Sequence, residues 1–99
     1  MSSRLSPKDQ ELYRTVDEVL HYRWDPIGIS DVPQARDEYH GYLPQVFGLL
    51  RSGASPEVIA TFLGSVATGR MGLSPRPEHD LEVASILVTW RENINAKFA

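Results

Sequence analysis

Ser55-Pro56-Glu57-Val58-Ile59-Ala60-Thr61-Phe62-Leu63-Gly64-Ser65-Val66 is the stretch whose reading decides the fold. Ser55 can accept a hydrogen bond from the first-turn N–H groups of a helix. Pro56 suits the first helical position, where its missing N–H is not needed. Glu57 then sets a negative charge at the positive end of the helix. Val58, Ile59, Phe62, Leu63 and Val66 follow at helical spacing and share one face. Ala60, Gly64 and Ala67 make a neighbouring stripe of small residues, over which another helix can approach closely. Gly64 therefore reads as a packing position, and Gly69 or Gly72 as the stop.

The same grammar recurs outward from this segment. Ser6-Pro7-Lys8-Asp9 repeats the start signal, and Leu12, Val16, Val19 and Leu20 supply the apolar stripe. Pro26 disfavours helical geometry at Asp25, so this first helix is predicted to end near Arg23 or Trp24. Pro77-Glu78-His79-Asp80 opens the last helix, with Val83, Leu87, Trp90 and Ile94 on its stripe. Ile86 and Val88 widen that stripe, which predicts a well-buried middle. Between these, Ser30 and Asp31 offer caps and Pro33 lies near a first turn. Tyr39, Tyr42, Leu43, Val46, Phe47 and Leu50 continue as an apolar face, and Gly53 ends it. Pro44 lies inside that pattern and is expected to kink the second helix or split it, because it removes one backbone bond and crowds the preceding turn. No segment alternates with period two. Four apolar stripes on short connected helices predict an all-α chain, a compact antiparallel bundle in one domain spanning residues 1–99.

Composition excludes several classes. The chain has 99 residues, of which 41% are hydrophobic and 23% charged, the balance of a globular domain rather than a disordered one. Val58 to Gly69, the longest uncharged stretch, is too short and too polar to span a bilayer, so no membrane association is expected. Met1-Ser2-Ser3-Arg4 lacks the apolar run of a secretory signal, which with the absence of cysteine favours the cytoplasm. A net charge of −3 argues against nucleic acid as a partner, since phosphates demand a basic surface. The charge is uneven. Between Tyr39 and Pro77 the only acid is Glu57, set against Arg51, Arg70 and Arg76.

No catalytic signature, cofactor motif or metal-ligand spacing stands out. His21, His40 and His79 are not spaced as a helical ligand pair. His79 and Asp80 are adjacent, so they do not face each other on a helix. His21 could pair with Asp17 or Asp25. Gly69-Arg70-Met71-Gly72 lacks the lysine and the preceding strand of a phosphate loop. Two clusters remain. In Arg23-Trp24-Asp25-Pro26-Ile27-Gly28-Ile29, a recognition loop would use Trp24 for contact area and Asp25 for a charged contact. The plainer alternative has Trp24 cover the end of the core while Asp25 accepts from the turn's own N–H groups. In Arg36-Asp37-Glu38-Tyr39-His40-Gly41-Tyr42, helical spacing would put Arg36, Tyr39 and His40 on one face. Tyr39 and Tyr42 could then bring their hydroxyls to the Asp25 loop. A polar pocket of Asp25, Arg36, Tyr39 and His40 would follow; the plainer alternative is a half-buried aromatic face with solvated charges.

The run Trp24-Asp25-Pro26-Ile27-Gly28, with Asp37-Glu38-Tyr39, Tyr42-Leu43-Pro44 and Met71-Gly72-Leu73, resembles a set of small bacterial helical proteins. These include the Bacillus YugE-like proteins, a domain of unknown function. The resemblance extends over Leu12 to Leu73 and implies an α-helical protein of the bacterial cytoplasm. It carries over no catalytic residue. Ser74 to Ala99 matches none of its motifs.

Three functional expectations follow. A non-catalytic protein-binding module ranks first, with an immunity protein that neutralises a basic toxin as its specific form, because the acidic balance would complement such a partner. Its contact residues would be Trp24, Asp25, Arg36, Tyr39, His40 and Tyr42. The alternative is a small ligand-binding domain or enzyme using the Asp25, Arg36, Tyr39 and His40 pocket. Self-association through the small-residue stripe or the Trp90 helix is the third.

Overall fold

The computed structural model describes residues 5–99; Met1-Ser2-Ser3-Arg4, which carry the expectation of no secretory signal, lie outside them. Four α-helices carry the fold among these residues: α1 (Pro7–Val19), α2 (Leu43–Arg51), α3 (Pro56–Ser65) and α4 (Pro77–Lys97). No strand occurs among them. α1 and α3 both pack on α4, and α2 closes against α1. The all-α bundle expected from the stripes is the fold observed.

Both Ser-Pro starts are helix caps. Ser6 Oγ accepts from the Asp9 N–H at 3.2 Å, and Ser55 Oγ accepts from the Val58 N–H at 3.3 Å. Each satisfies one of the donors that a helix leaves open at its first turn. Beyond them, Leu12, Val16 and Val19 of α1 and Ile59 and Leu63 of α3 are buried.

Both helices then end in the same unusual way. Leu20–Trp24 and Val66–Arg70 are π-helical turns, each closed by a bond back over five residues: Asp25 N–H to Leu20 O at 3.0 Å and Met71 N–H to Val66 O at 3.1 Å. The wider turn changes which side chains face inward. Leu20, His21 and Trp24 are all buried as a result, as are Val66 and Ala67. The first helix therefore ends at Trp24, as the Pro26 argument required.

The second expected helix is shorter than its apolar pattern. Residues 33–42 form two 3₁₀ turns, Pro33–Ala35 and His40–Tyr42, joined by further turns. Pro44 sits in the first turn of α2, so the break expected there is a split rather than a kink, and only the Leu43–Arg51 part is α-helical. Proline in a first turn forfeits no helical bond, which is why the helix begins there. Leu43, Val46, Phe47 and Leu50 of α2 are buried.

α4 departs from its predicted stripe at one position. Val83, Ala84, Leu87 and Ile94 are buried, whereas Trp90 is 46% exposed. The inner line between Leu87 and Ile94 passes through Arg91 instead. Its guanidinium Nη1 donates to the carbonyls of Leu50 at 3.3 Å and Ala54 at 2.8 Å. These carbonyls lie at and just beyond the C-terminal end of α2, at its negative pole; that of Leu50 also accepts from the Gly53 N–H at 3.1 Å. Arg91→Met keeps the buried stem and loses the charged donor. Unfolding in urea is expected to show a loss of about 1.5–3 kcal/mol, the usual value of hydrogen bonds to a charged group. An unchanged midpoint would mean that water replaces the guanidinium at no cost.

Candidate functional site

The Trp24–Ile29 turn is built around its aspartate. Asp25 takes a left-handed conformation, φ 35°, which aspartate tolerates better than most side chains. Its Oδ1 accepts from the Ile29 N–H at 2.7 Å, and its Oδ2 from the Ser30 N–H at 3.0 Å. The Tyr39 hydroxyl donates to Oδ1 at 2.8 Å and in turn accepts from the Ile27 N–H at 3.2 Å. Burial pushes the Asp25 carboxyl up, but the Ile29 N–H, the Tyr39 hydroxyl and the Ser30 N–H outweigh it and hold the group below its ordinary value. Burial, with the Asp25 charge beside it, pushes the Tyr39 hydroxyl well above its own. The carboxylate is thus spent on its own loop and on Tyr39.

Trp24 is 1% exposed, with Tyr39 tilted against it at 5.3 Å between ring centroids and Tyr42 edge-on at 6.4 Å. The reading of Trp24 as contact area fails on this burial, and that of Tyr39 fails with it, since Tyr39 is also buried. Tyr42 is half-buried, its ring 5.9 Å from the Arg70 guanidinium carbon. Of the two tyrosine hydroxyls expected at the loop, that of Tyr39 reaches Asp25.

The four-residue pocket is not assembled either. Arg36 binds Asp17 of α1 with both terminal nitrogens, at 2.8 and 3.1 Å, and stands 5.5 Å over the Tyr22 ring. His40 Nε2 lies 3.0 Å from the same Asp17 oxygen. Burial acts to raise the Asp17 carboxyl, but Arg36 and then His40 outweigh it and lower it. Arg36 and His40 therefore belong to Asp17, and Asp25 and Tyr39 to each other. The turns of residues 33–42 are the reason: a continuous helix would have carried Arg36, Tyr39 and His40 to one face. His21 pairs with neither Asp17 nor Asp25; it is buried with its Nδ1 unpartnered among the described residues.

A further cluster lies at the start of α4. Asp80 is 4% exposed, and its Oδ1 accepts from the Trp24 indole N–H at 3.1 Å. His79 Nε2 lies 2.9 Å from the Trp24 backbone carbonyl, so adjacent residues of α4 hold the tryptophan by its side chain and by its backbone. Burial pushes the Asp80 carboxyl above its ordinary value, with the Trp24 hydrogen bond, His79 and Arg76 acting the other way. Between Trp24, Pro26, Ala67, Leu73, Arg76 and Asp80 lies a cavity of about 30 Å³. Asp80 also lines a wider depression of about 280 Å³, which includes Gly64. Sequence reasoning passed over Asp80, although one signal was there: three residues before Val83, it continues the buried line of α4 backward.

The surface holds one more feature of note. Arg23, Glu82, Ser85, Ile86, Thr89 and Trp90 line an open groove of about 440 Å³ between the end of the first helical segment and α4. Among the described residues, no group of three His, Asp or Glu side chains could hold a metal ion, and no helix is long and apolar enough to cross a membrane. Comparison of the chain with protein-family models, with curated proteins and with solved structures gives no match in any of the three.

Proposed function

We propose that this chain is a non-catalytic protein-binding module, with neutralisation of a basic partner of the immunity type as its specific form. One observation carries the proposal: Trp90 is 46% exposed beside half-buried Ile86, on a groove of about 440 Å³. Tryptophan is over-represented among the residues that dominate binding energy, because it brings a large amphipathic area at little entropic cost. The contact face of this reading is the outer side of α4, where sequence reasoning put it at the Trp24 loop. The net charge of −3 supports a basic partner, since complementary charge speeds encounter and rejects wrong partners. Membership among the YugE-like proteins of the bacterial cytoplasm is part of the same proposal. Its support is the Trp24-Asp25-Pro26-Ile27-Gly28 run.

Affinity capture from the organism of origin tests the module, comparing the wild-type chain with Trp90→Ala by quantitative mass spectrometry. A basic protein retained by the wild type should fall by about tenfold or more on Trp90→Ala, the loss of one dominant contact. Its retention should also weaken as salt is raised. Equal retention by both chains, or no protein that distinguishes them, would overturn the reading.

A further inference from the structure

The depression over Gly64 has a lining with an unusual chemical character. Ala60, Thr61, Gly64 and Thr68 line it from α3 and the turn after it, Pro75 and Pro77 from the approach to α4, and the buried Asp80 from α4 itself. Thr61 Oγ1 already donates to the Glu57 carbonyl at 2.9 Å, and Thr68 Oγ1 to the Gly64 carbonyl at 2.8 Å. Their hydroxyls therefore have only lone pairs left to offer. The prolines carry no N–H, and Ala60 and Gly64 have no polar side chain. Asp80 gives Oδ1 to the Trp24 indole and makes no hydrogen bond through Oδ2 among the described residues. That oxygen lies on the Gly64 side, 3.2 Å from where a Cβ on Gly64 would stand. The depression thus holds a carboxylate oxygen and two hydroxyl acceptors, with no side-chain donor free to meet them.

We infer that this depression is a binding site for a cation that carries donors only, the guanidinium of an arginine presented by a protein partner. Arginine is favoured over lysine by the walls. A guanidinium is planar and weakly hydrated, so it loses less on leaving water for a lining of proline rings and an alanine methyl. Its several N–H groups can also reach Oδ2 and a threonine hydroxyl together, which a compact ammonium does less well. Gly64 has a role here: without a side chain, it leaves Oδ2 open to the ligand. Arg76 and His79 stand near Asp80, but neither donates a hydrogen bond to it; His79 Nε2 is engaged with the Trp24 carbonyl. The protein source of the arginine rests on the binding-module reading, whereas the site's chemistry does not.

The two indole N–H resonances supply a built-in reporter and its control. Trp24 donates to Asp80, and Trp90 lies exposed on another side of α4. Methylguanidinium chloride is titrated into the ¹⁵N-labelled chain below about 20 mM, far under the molar range at which guanidinium unfolds proteins. Methylammonium chloride and sodium chloride at equal ionic strength are the comparisons. The Trp24 indole resonance should shift saturably in the millimolar range with methylguanidinium, while Trp90 stays still. Asp80→Asn keeps the acceptor for Trp24 but turns a donor amide into the depression, and should weaken binding by about tenfold or more. Gly64→Ala places a methyl in front of Oδ2 and should do the same in a folded chain. A shift matched by sodium chloride, or one that persists in Asp80→Asn, overturns the site. An equal response to methylammonium overturns its assignment to arginine. None of these arms needs a partner protein, so the site and the Trp90 reading fail separately.

Discussion

Trp24→Ala is expected to lower the unfolding free energy by about 3–5 kcal/mol, the range for deleting a buried aromatic side chain. For a domain of this size that is a fall in Tm of about 15 °C or more, read by calorimetry or circular dichroism. Two losses combine. The ring's removal leaves a void against Tyr39 and Tyr42, which it now packs at 5.3 and 6.4 Å between ring centroids. It also strips Asp80 of the one side-chain hydrogen-bond donor it has among the described residues. Trp24→Phe separates them in large part, because it keeps most of the aromatic volume and removes the indole N–H. At neutral pH this variant is expected to lose about 1–3 kcal/mol, the cost of leaving a buried polar group unpaired.

The pH dependence of that loss has a definite sign. The Asp80 carboxyl is raised in the folded chain, chiefly by burial, so the native state holds this proton more tightly than the unfolded one. Stability from this group is therefore greatest at acid pH and falls as pH rises from the ordinary carboxylate value through the raised one. Without the indole donor the charged form is penalised further and the window widens upward. The gap between Trp24→Phe and wild type should thus shrink from pH 7 to about pH 4. A gap of constant size would show that Asp80 is not the group responsible.

What was legible in the sequence was local. A serine before a proline, followed by helical spacing, describes contacts within one turn, and both such starts are caps. The Asp25 turn was legible for the same reason: the plainer reading, an aspartate accepting from its own loop, needed only neighbours. Asp80 was not, because a charge in a first helical turn reads as a solvated residue favoured by the dipole. Its burial depends on Trp24, far away in the chain, which the π-helical turn rotates inward. Trp90 failed in the opposite sense. Spacing alone gave it the inner line of α4, but Arg91 occupies that line through carbonyls at and just beyond the end of α2. Hydrophobicity ranks side chains by their preference for the interior; it does not register acceptors waiting there for a donor.

Asp25→Ala should be the second most damaging substitution, at about 2–4 kcal/mol from the usual worth of charge-assisted hydrogen bonds, which do not simply add. The change removes the acceptor for the Ile29 and Ser30 N–H groups and for the Tyr39 hydroxyl. It also leaves alanine in a left-handed conformation, φ 35°, which a Cβ disfavours. Asp25→Asn tolerates that conformation and keeps one acceptor oxygen, so it should lose less. The two variants also differ from wild type in acid. Asp25 and Asp17 are held below the ordinary carboxylate value, so their stabilisation is present above that value and disappears as pH falls through their folded ones. Asp80 has the opposite sign, but its window lies above the ordinary carboxylate value and theirs lie below it. Removing Asp25 leaves Asp17 alone of the pair to lose stability on the acid side, so Asp25→Asn should flatten the acid limb of the stability curve, measured by urea unfolding between about pH 2 and pH 6. An acid limb as steep as that of the wild type would mean that the Asp25 carboxylate is no better held in the folded loop than in the unfolded chain. The turn would then owe its shape to Pro26 and Gly28 alone.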